Sequence, residues 1–178
     1  PPLAETPERP QIEVAATLGQ GTDLQRTLRN AGVGQADADA AVSLVSGAIG
    51  LSSINRGAAL DIVLGRRPNK TVARPLDTLA FRAAFDLRLA ISRVNGELRL
   101  KQIPIAVNEA PLRITGTVGS SLYKSARAAG VPANLVADFI TALSFGVDFQ
   151  RDVGSNAKFD IIFEHRLAET GETEVGKL

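Results

Sequence analysis

The sequence predicts an α+β fold built as two small domains, each with two helices packed on an antiparallel sheet. Three observations carry that expectation. Residues 80–91 alternate strictly, with Phe81, Ala83, Phe85, Leu87, Leu89 and Ile91 on one face and Arg82, Asp86 and Arg88 on the other. That period of two belongs to half-buried strands. Asn95-Gly96 then supplies the dipeptide preferred in type I′ hairpins, and Leu98-Arg99-Leu100-Lys101 resumes the alternation. A strand–helix–helix–strand pattern also occurs twice along the chain, so the second domain repeats the first in outline.

Taken in order, residues 1–11 hold four of the nine prolines and read as an extended linker. A β-type run, Ile12–Thr17, leads into Gly19-Gln20-Gly21-Thr22. Thr22 is placed to cap a helix carrying Leu24, Leu28 and Ala31 on one side, and Gly32 to stop it. A second helix fits 35–49, with Val42, Val45 and Ile49 on one stripe. A strand is expected at 59–64, ahead of the alternating run. The join falls at Val107–Pro111, which gives a linker over 1–11, a first domain over 12–108 and a second over 109–178. In the second domain, 112–118 reads as a strand, Ser120 or Ser121 as a helix cap, and Gly130 as the stop. Pro132 suits the first turn of the next helix, whose Leu135, Val136, Phe139, Ile140 and Leu143 form one stripe. Phe159, Ile161 and Phe163 alternate with Asp160 and Glu164 as a strand, and 169–174 reads as a turn into a returning strand. A lone strand pair is marginal in water, so the second domain reads as cut short.

Composition narrows the chemistry. The chain has 178 residues, of which 44% are hydrophobic but only 4% aromatic, so aliphatic side chains must build the core. It contains no Cys, which excludes disulfides, thiolate nucleophiles and cysteine-based metal sites. A single His, His165, excludes any site needing two imidazoles and reads as a surface residue near a strand end. With 20 basic and 19 acidic residues the formal charge is +1, which gives no global pull toward nucleic acid or an anionic membrane.

Two polar groupings stand out. Arg56, Arg66, Arg67, Lys70 and Arg74 face only Asp61 within 56–74. They read first as a solvated hairpin and loop, and otherwise as a patch for an anionic polymer or an acidic partner domain. Asp148 and Asp152 lie four apart with Arg151 beside them. Such spacing could hold a general acid/base pair or a hard cation. The structural reading is preferred, because carboxylates and an arginine at a helix exit satisfy backbone groups where the chain turns.

The segment Ser121-Leu122-Tyr123-Lys124-Ser125-Ala126-Arg127-Ala128-Ala129-Gly130-Val131-Pro132, followed by Phe145-Gly146-Val147-Asp148-Phe149-Gln150-Arg151-Asp152 and Phe159-Asp160-Ile161-Ile162-Phe163-Glu164, resembles a known signature. It is that of the middle domain of lysostaphin-type (LytM-like) zinc murein endopeptidases of Gram-negative bacteria, with Tyr123, Arg127, Asp148, Arg151 and Asp152 as its structural markers. The first domain is similar, more loosely, to the LysM-like, opacity-associated-protein-A-type domain that precedes it there. Gly21-Thr22-Asp23-Leu24, Leu24–Val33 and Ile54-Asn55-Arg56-Gly57 carry that likeness.

The resemblance implies the non-catalytic portion of a periplasmic murein DD-endopeptidase, one that holds, shields or positions the peptidase domain. The zinc ligands of such enzymes, in H-x-x-x-D and H-x-H, are absent from this sequence. Zinc and hydrolysis are therefore expected of a separate catalytic domain, with no catalytic residue and no cofactor in this chain. The expected partners are peptidoglycan and that catalytic domain in cis, with no nucleic acid, and with a membrane reached only through an N-terminal anchor outside the sequence. The alternative is a stand-alone envelope adaptor that binds peptidoglycan glycan through the first domain. Its groove would lie between Gln20–Asp23 and Leu51–Asn55, lined by Gln20, Thr22, Asp23, Leu51, Ile54 and Asn55.

Overall fold

The computed structural model describes residues 8–20, 23–149 and 151–178. It is an α+β fold with four α-helices among the described residues and antiparallel sheets, the largest of five strands. The chain divides into two compact units, the first ending at Ile105 and the second running from Ala106 to Leu178.

In the first unit the strands are β1 (Ile12–Thr17), β2 (Ala59–Leu64), β3 (Leu76–Ala84), β4 (Leu87–Val94) and β5 (Glu97–Pro104), paired in chain order. Helices α1 (Leu24–Asn30) and α2 (Gln35–Ala48) follow β1. The alternation over 80–91 resolves into two strands, with the chain reversing at Phe85-Asp86. Apolar residues recur across that turn, so period alone does not mark it. The Arg82 guanidinium marks it physically: it donates to the Phe85 carbonyl (Nε–O 3.1 Å) and lies 5.0 Å from the centre of the Phe85 ring. Asn95 and Gly96 both take positive φ (52° and 85°), as a type I′ turn requires.

The apolar stripe of α2 runs through Ala38, Ala41 and Val45, all buried, while Val42 and Ile49 sit half-exposed at its margin. This shifts the expected stripe by about one residue. Small side chains let the helix sit close over Leu60, Ile62, Leu79, Phe81, Leu89 and Ile91 on the inner face of the sheet. At the start of α1 the N-cap position belongs to Asp23, with no side-chain cap bond. The expected cap Thr22 lies outside the described residues, as do Gly21 and Gln150.

The second unit opens on strand β6 (Val107–Glu109), where the sequence suggested a join. Three residues flanked by Pro104 and Pro111 are too short for a periodicity signal. Strand β7 (Leu112–Thr117), helices α3 (Leu122–Ala128) and α4 (Ala133–Ser144), and strands β8 (Lys158–Phe163), β9 (His165–Ala168) and β10 (Thr173–Val175) complete it. β7 pairs with β8, and β9 lies between β6 and β10, all antiparallel. Ser121 caps α3, accepting from Lys124 N, whereas Pro132 takes the N-cap position of α4 rather than its first turn.

The two units share one local device. In each, the first helix ends in a Schellman turn. Gly32 (φ 96°) and Gly130 (φ 100°) adopt the left-handed conformation. Val33 N donates to Leu28 O and Gly32 N to Arg29 O; Val131 N donates to Ala126 O and Gly130 N to Arg127 O. An arginine closes each turn, Arg29 donating to Val33 O at 3.2 Å and Arg127 to Val131 O at 2.7 Å. Leu28 and Val33 are buried together in one core, Ala126 and Val131 in the other.

Gly116 shows how tightly the β7–β8 pair is packed. It faces Phe159 across the ladder, and a Cβ built on it would run into the Phe159 ring. Gly116→Ala should therefore cost about 1–3 kcal/mol through overpacking, read from the midpoint of urea unfolding. Combining it with Phe159→Leu should recover part of that loss, since the obstructing ring is then gone. Equal and additive losses would overturn the steric account.

Candidate functional site

The residues expected to line a groove in the first unit are set by how β1 and β2 end. Leu18 N donates to Ala58 O (2.9 Å) and Gly57 N donates to Leu18 O (2.8 Å). These two bonds bring the segment after Leu18 and the segment before Gly57 to one end of the strand pair. Gln20 and Asn55 are exposed there, and Asp23 is half-buried, its N–H donating to Gln20 O. Leu51 opens a short 3-10 turn (Leu51–Ser53) and packs partly on the core. Ile54 is 4% exposed and belongs to the core itself, so its side chain offers nothing to a ligand. Thr22 lies outside the described residues. What remains is a polar rim of amide and carboxylate groups, suited to hydrogen bonding, with no aromatic face in either loop for a sugar ring to stack on.

In the second unit the Asp148–Asp152 corner is an exposed turn. Arg151 N and Asp152 N donate to Asp148 O (3.1 and 2.7 Å), and Asp148 N donates to the Asp152 carboxylate (2.9 Å). Arg151 adds a longer ion pair to Asp148 at 3.8 Å. The Asp152 carboxylate thus satisfies a backbone N–H left over as the chain leaves α4, while the Asp148 and Arg151 side chains pair with each other. Tyr123 is exposed on α3, and Arg127 closes the turn after it. Marker residues Tyr123 and Arg127 therefore sit on α3 and its C-terminal turn, and Asp148, Arg151 and Asp152 on the corner after α4.

The basic grouping of the first unit divides. Arg74 is only 9% exposed; it donates to Gly65 O (2.9 Å), to Arg9 O (3.0 Å) and to the Glu8 carboxylate (3.2 Å). Arg67 grips the same carboxylate through Nε at 3.0 and 3.1 Å. These two arginines form a clasp that holds the segment before β1, while Arg56 and Arg66 stay exposed. Sequence gave no sign of this, since Glu8 lies 59 residues from Arg67 inside a proline-rich stretch. The hydrogen bonds from Arg67 hold the Glu8 carboxyl below its ordinary value of 4.5, with the charges of Arg67 and Arg74 adding to the effect against desolvation.

Asp37 was also missed. From the first turn of α2 its carboxylate accepts from Leu76 N (2.8 Å) and from Arg93 (2.6 Å), tying the helix to β3 and β4. His165 lines a shallow cavity of about 230 Å3 with Glu109, Pro111, Glu164 and Arg166. The Glu109 carboxylate there accepts from Arg166 at 2.7 Å. Among the described residues no three His, Cys, Asp or Glu side chains gather as a metal-binding group. No described helix is long and apolar enough to cross a membrane.

The fold has relatives among solved structures. It is similar to a zinc containing peptidase from Vibrio cholerae, with a TM-score of 0.57 and 18% identity over 92% of this chain and 49% of that one. It is also similar to Helicobacter pylori Csd3, with a TM-score of 0.54 and 19% identity over 91% of this chain and 43% of that one. The chain therefore spans less than half the length of either structure. No protein-family model matches the sequence, and no curated protein matches it. At these identities the likeness is one of fold. The zinc named for the first relative has no fitting donor set among the described residues of this chain.

Two predictions follow from this geometry. Because the folded Glu8 carboxyl titrates below 4.5, the clasp contributes fully above that pH and is lost as pH falls through the lower folded value. The urea unfolding midpoint of the native chain should fall as pH drops through that range, and Glu8→Gln should remove this part of the pH dependence. Asp152→Ala should cost about 0.5–1 kcal/mol, since water can reach the freed Asp148 N–H. Asp152→Asn, which keeps an acceptor, should unfold at nearly the native urea midpoint.

Proposed function

We propose that this chain is the non-catalytic, positioning portion of a murein DD-endopeptidase of the lysostaphin (LytM-like) type, working at the cell envelope. One observation supports the reading above others: the fold likeness takes in 92% of this chain but only 49% of a zinc containing peptidase. In this reading zinc chemistry belongs to a separate catalytic domain, and the two units here hold that domain against murein or cover its groove. The Tyr123–Asp152 signature points to the same family. Within it Arg127 closes the turn after α3 and the Asp152 carboxylate accepts from Asp148 N after α4, contacts that suit a scaffold, and the sequence has one His and no Cys to offer a zinc ion.

The test has two arms. Purified chain incubated with murein and added zinc should release no soluble muropeptides, and clear release would overturn the reading. The reading frame that encodes the chain should also encode H-x-x-x-D and H-x-H beyond Leu178. A frame without either motif would overturn it just as directly.

A further inference from the structure

We propose that Arg67 and Arg74 form a binding site for a phosphate monoester dianion, which the chain's own Glu8 carboxylate occupies as an internal stand-in. The inference is independent of the enzymatic reading. It rests on which side of the clasp is built to stay in place.

The cradle belongs to the body of the first unit. Arg74 is 9% exposed, and its Nη1 is anchored on Gly65 O at 2.9 Å. Its backbone is pinned as well, bridging to Val33 just beyond the Schellman turn of α1. Gly65 N in turn donates to Pro75 O (2.9 Å), closing the loop between β2 and β3. Arg67 is anchored through Nη1 on Lys70 O (3.2 Å), in a loop where Asn69 Oδ1 accepts from Thr71 N (3.0 Å). None of these bonds involves Glu8. They leave Nε and Nη2 of Arg67 and Nη2 of Arg74 converging on the Glu8 carboxylate.

The plug has no such support. Glu8 is half-buried and Arg9, Pro10 and Gln11 are exposed, so the stretch adds no side chain to the apolar core. Besides the carboxylate, Arg9 O accepts from Arg74 (3.0 Å) and Gln11 donates to the Asp77 carboxylate (3.3 Å). Glu8 can therefore leave for the loss of a few part-exposed hydrogen bonds, while both guanidinium groups keep their anchors. Donors held in this way lose little freedom when another anion enters.

Charge identifies that anion. Around the Glu8 carboxylate stand three cations, Arg67, Arg74 and Lys70, so one negative charge meets three positive ones. A surplus of positive charge remains with Glu8 in place. A phosphate monoester brings close to two negative charges at neutral pH and three acceptor oxygens. Two of its oxygens suit the forked donors of Arg67, which bind carboxylate and phosphate alike through parallel N–H groups. The third remains for Arg74. A single carboxylate fills the same place with less charge and one oxygen fewer.

The probe is inorganic phosphate, titrated calorimetrically into the full chain at fixed ionic strength. Glu8→Ala should bind it about tenfold more tightly than the native chain, whose own carboxylate competes as a tethered ligand. Adding Arg67→Gln, a change at a part-exposed side chain that leaves the Arg74 anchor intact, should abolish binding while the far-UV circular dichroism stays that of Glu8→Ala. Acetate should bind Glu8→Ala about tenfold more weakly than phosphate, having one charge and two oxygens. Vesicles of phosphatidylglycerol in phosphatidylcholine, whose phosphodiesters each carry at most one net charge, should sediment Glu8→Ala no more than the native chain. Equal phosphate affinity in the native and Glu8→Ala chains would overturn the proposal. So would binding that survives Arg67→Gln, acetate binding as tight as phosphate, or sedimentation of Glu8→Ala with the vesicles.

Discussion

Each unit depends on holding two short helices at a fixed angle over a strand pair, and the Schellman turn between the helices enforces that angle. Helices of seven residues such as α1 and α3 are too short to persist alone in water. They exist because the turn satisfies their last carbonyls and drives Val33 or Val131 into the core beside the helix it terminates. Glycine is required at the left-handed position, where a Cβ would strain the backbone. The arginine before it then closes the turn from outside, so the device uses backbone, core and surface together.

From this common start the units diverge in how they complete the core. The first adds three further strands and binds α2 to them through Asp37, which joins a helix terminus to the Leu76 N–H and to Arg93. Ala41 and Val45 can then be small because a five-stranded sheet presses against them. The second unit places its sheet hydrogen bonds elsewhere. β6, β9 and β10 form a separate ladder, and α4 carries bulk where α2 carries compactness. Phe145, 88% exposed at the end of α4, extends that apolar character beyond the helix.

The parts legible in the sequence are those with local causes. Helix stops at Gly32 and Gly130, the Asn95-Gly96 turn and the strand over 158–163 each follow from a residue whose conformational preference is decided within a few neighbours. The hidden parts depend on partners far along the chain. Glu8 meets Arg67 and Arg74, and Asp37 meets Arg93, only after folding brings them together. Phe85-Asp86 was masked because alternation continues through a two-residue reversal. Among the candidate site residues, Ile54 looked available because it sits in a loop. Yet the 3-10 turn before it points the side chain inward, and periodicity does not reach into such a turn.

The exposed ion pairs set what can stabilise the second unit. Arg113 clasps Asp160 on the outer face of β7–β8, and Arg166 binds Glu109 and Glu174 across the other ladder. Exposed pairs of this kind contribute little in water. Stability there must come from the buried set around Val118, Leu122, Val136, Phe159 and Ile161, with Phe139, Ile140 and Leu143 contributing in part. Additional cover over those three removes apolar surface from water, and each such side chain fully buried is worth about 1.5–3 kcal/mol.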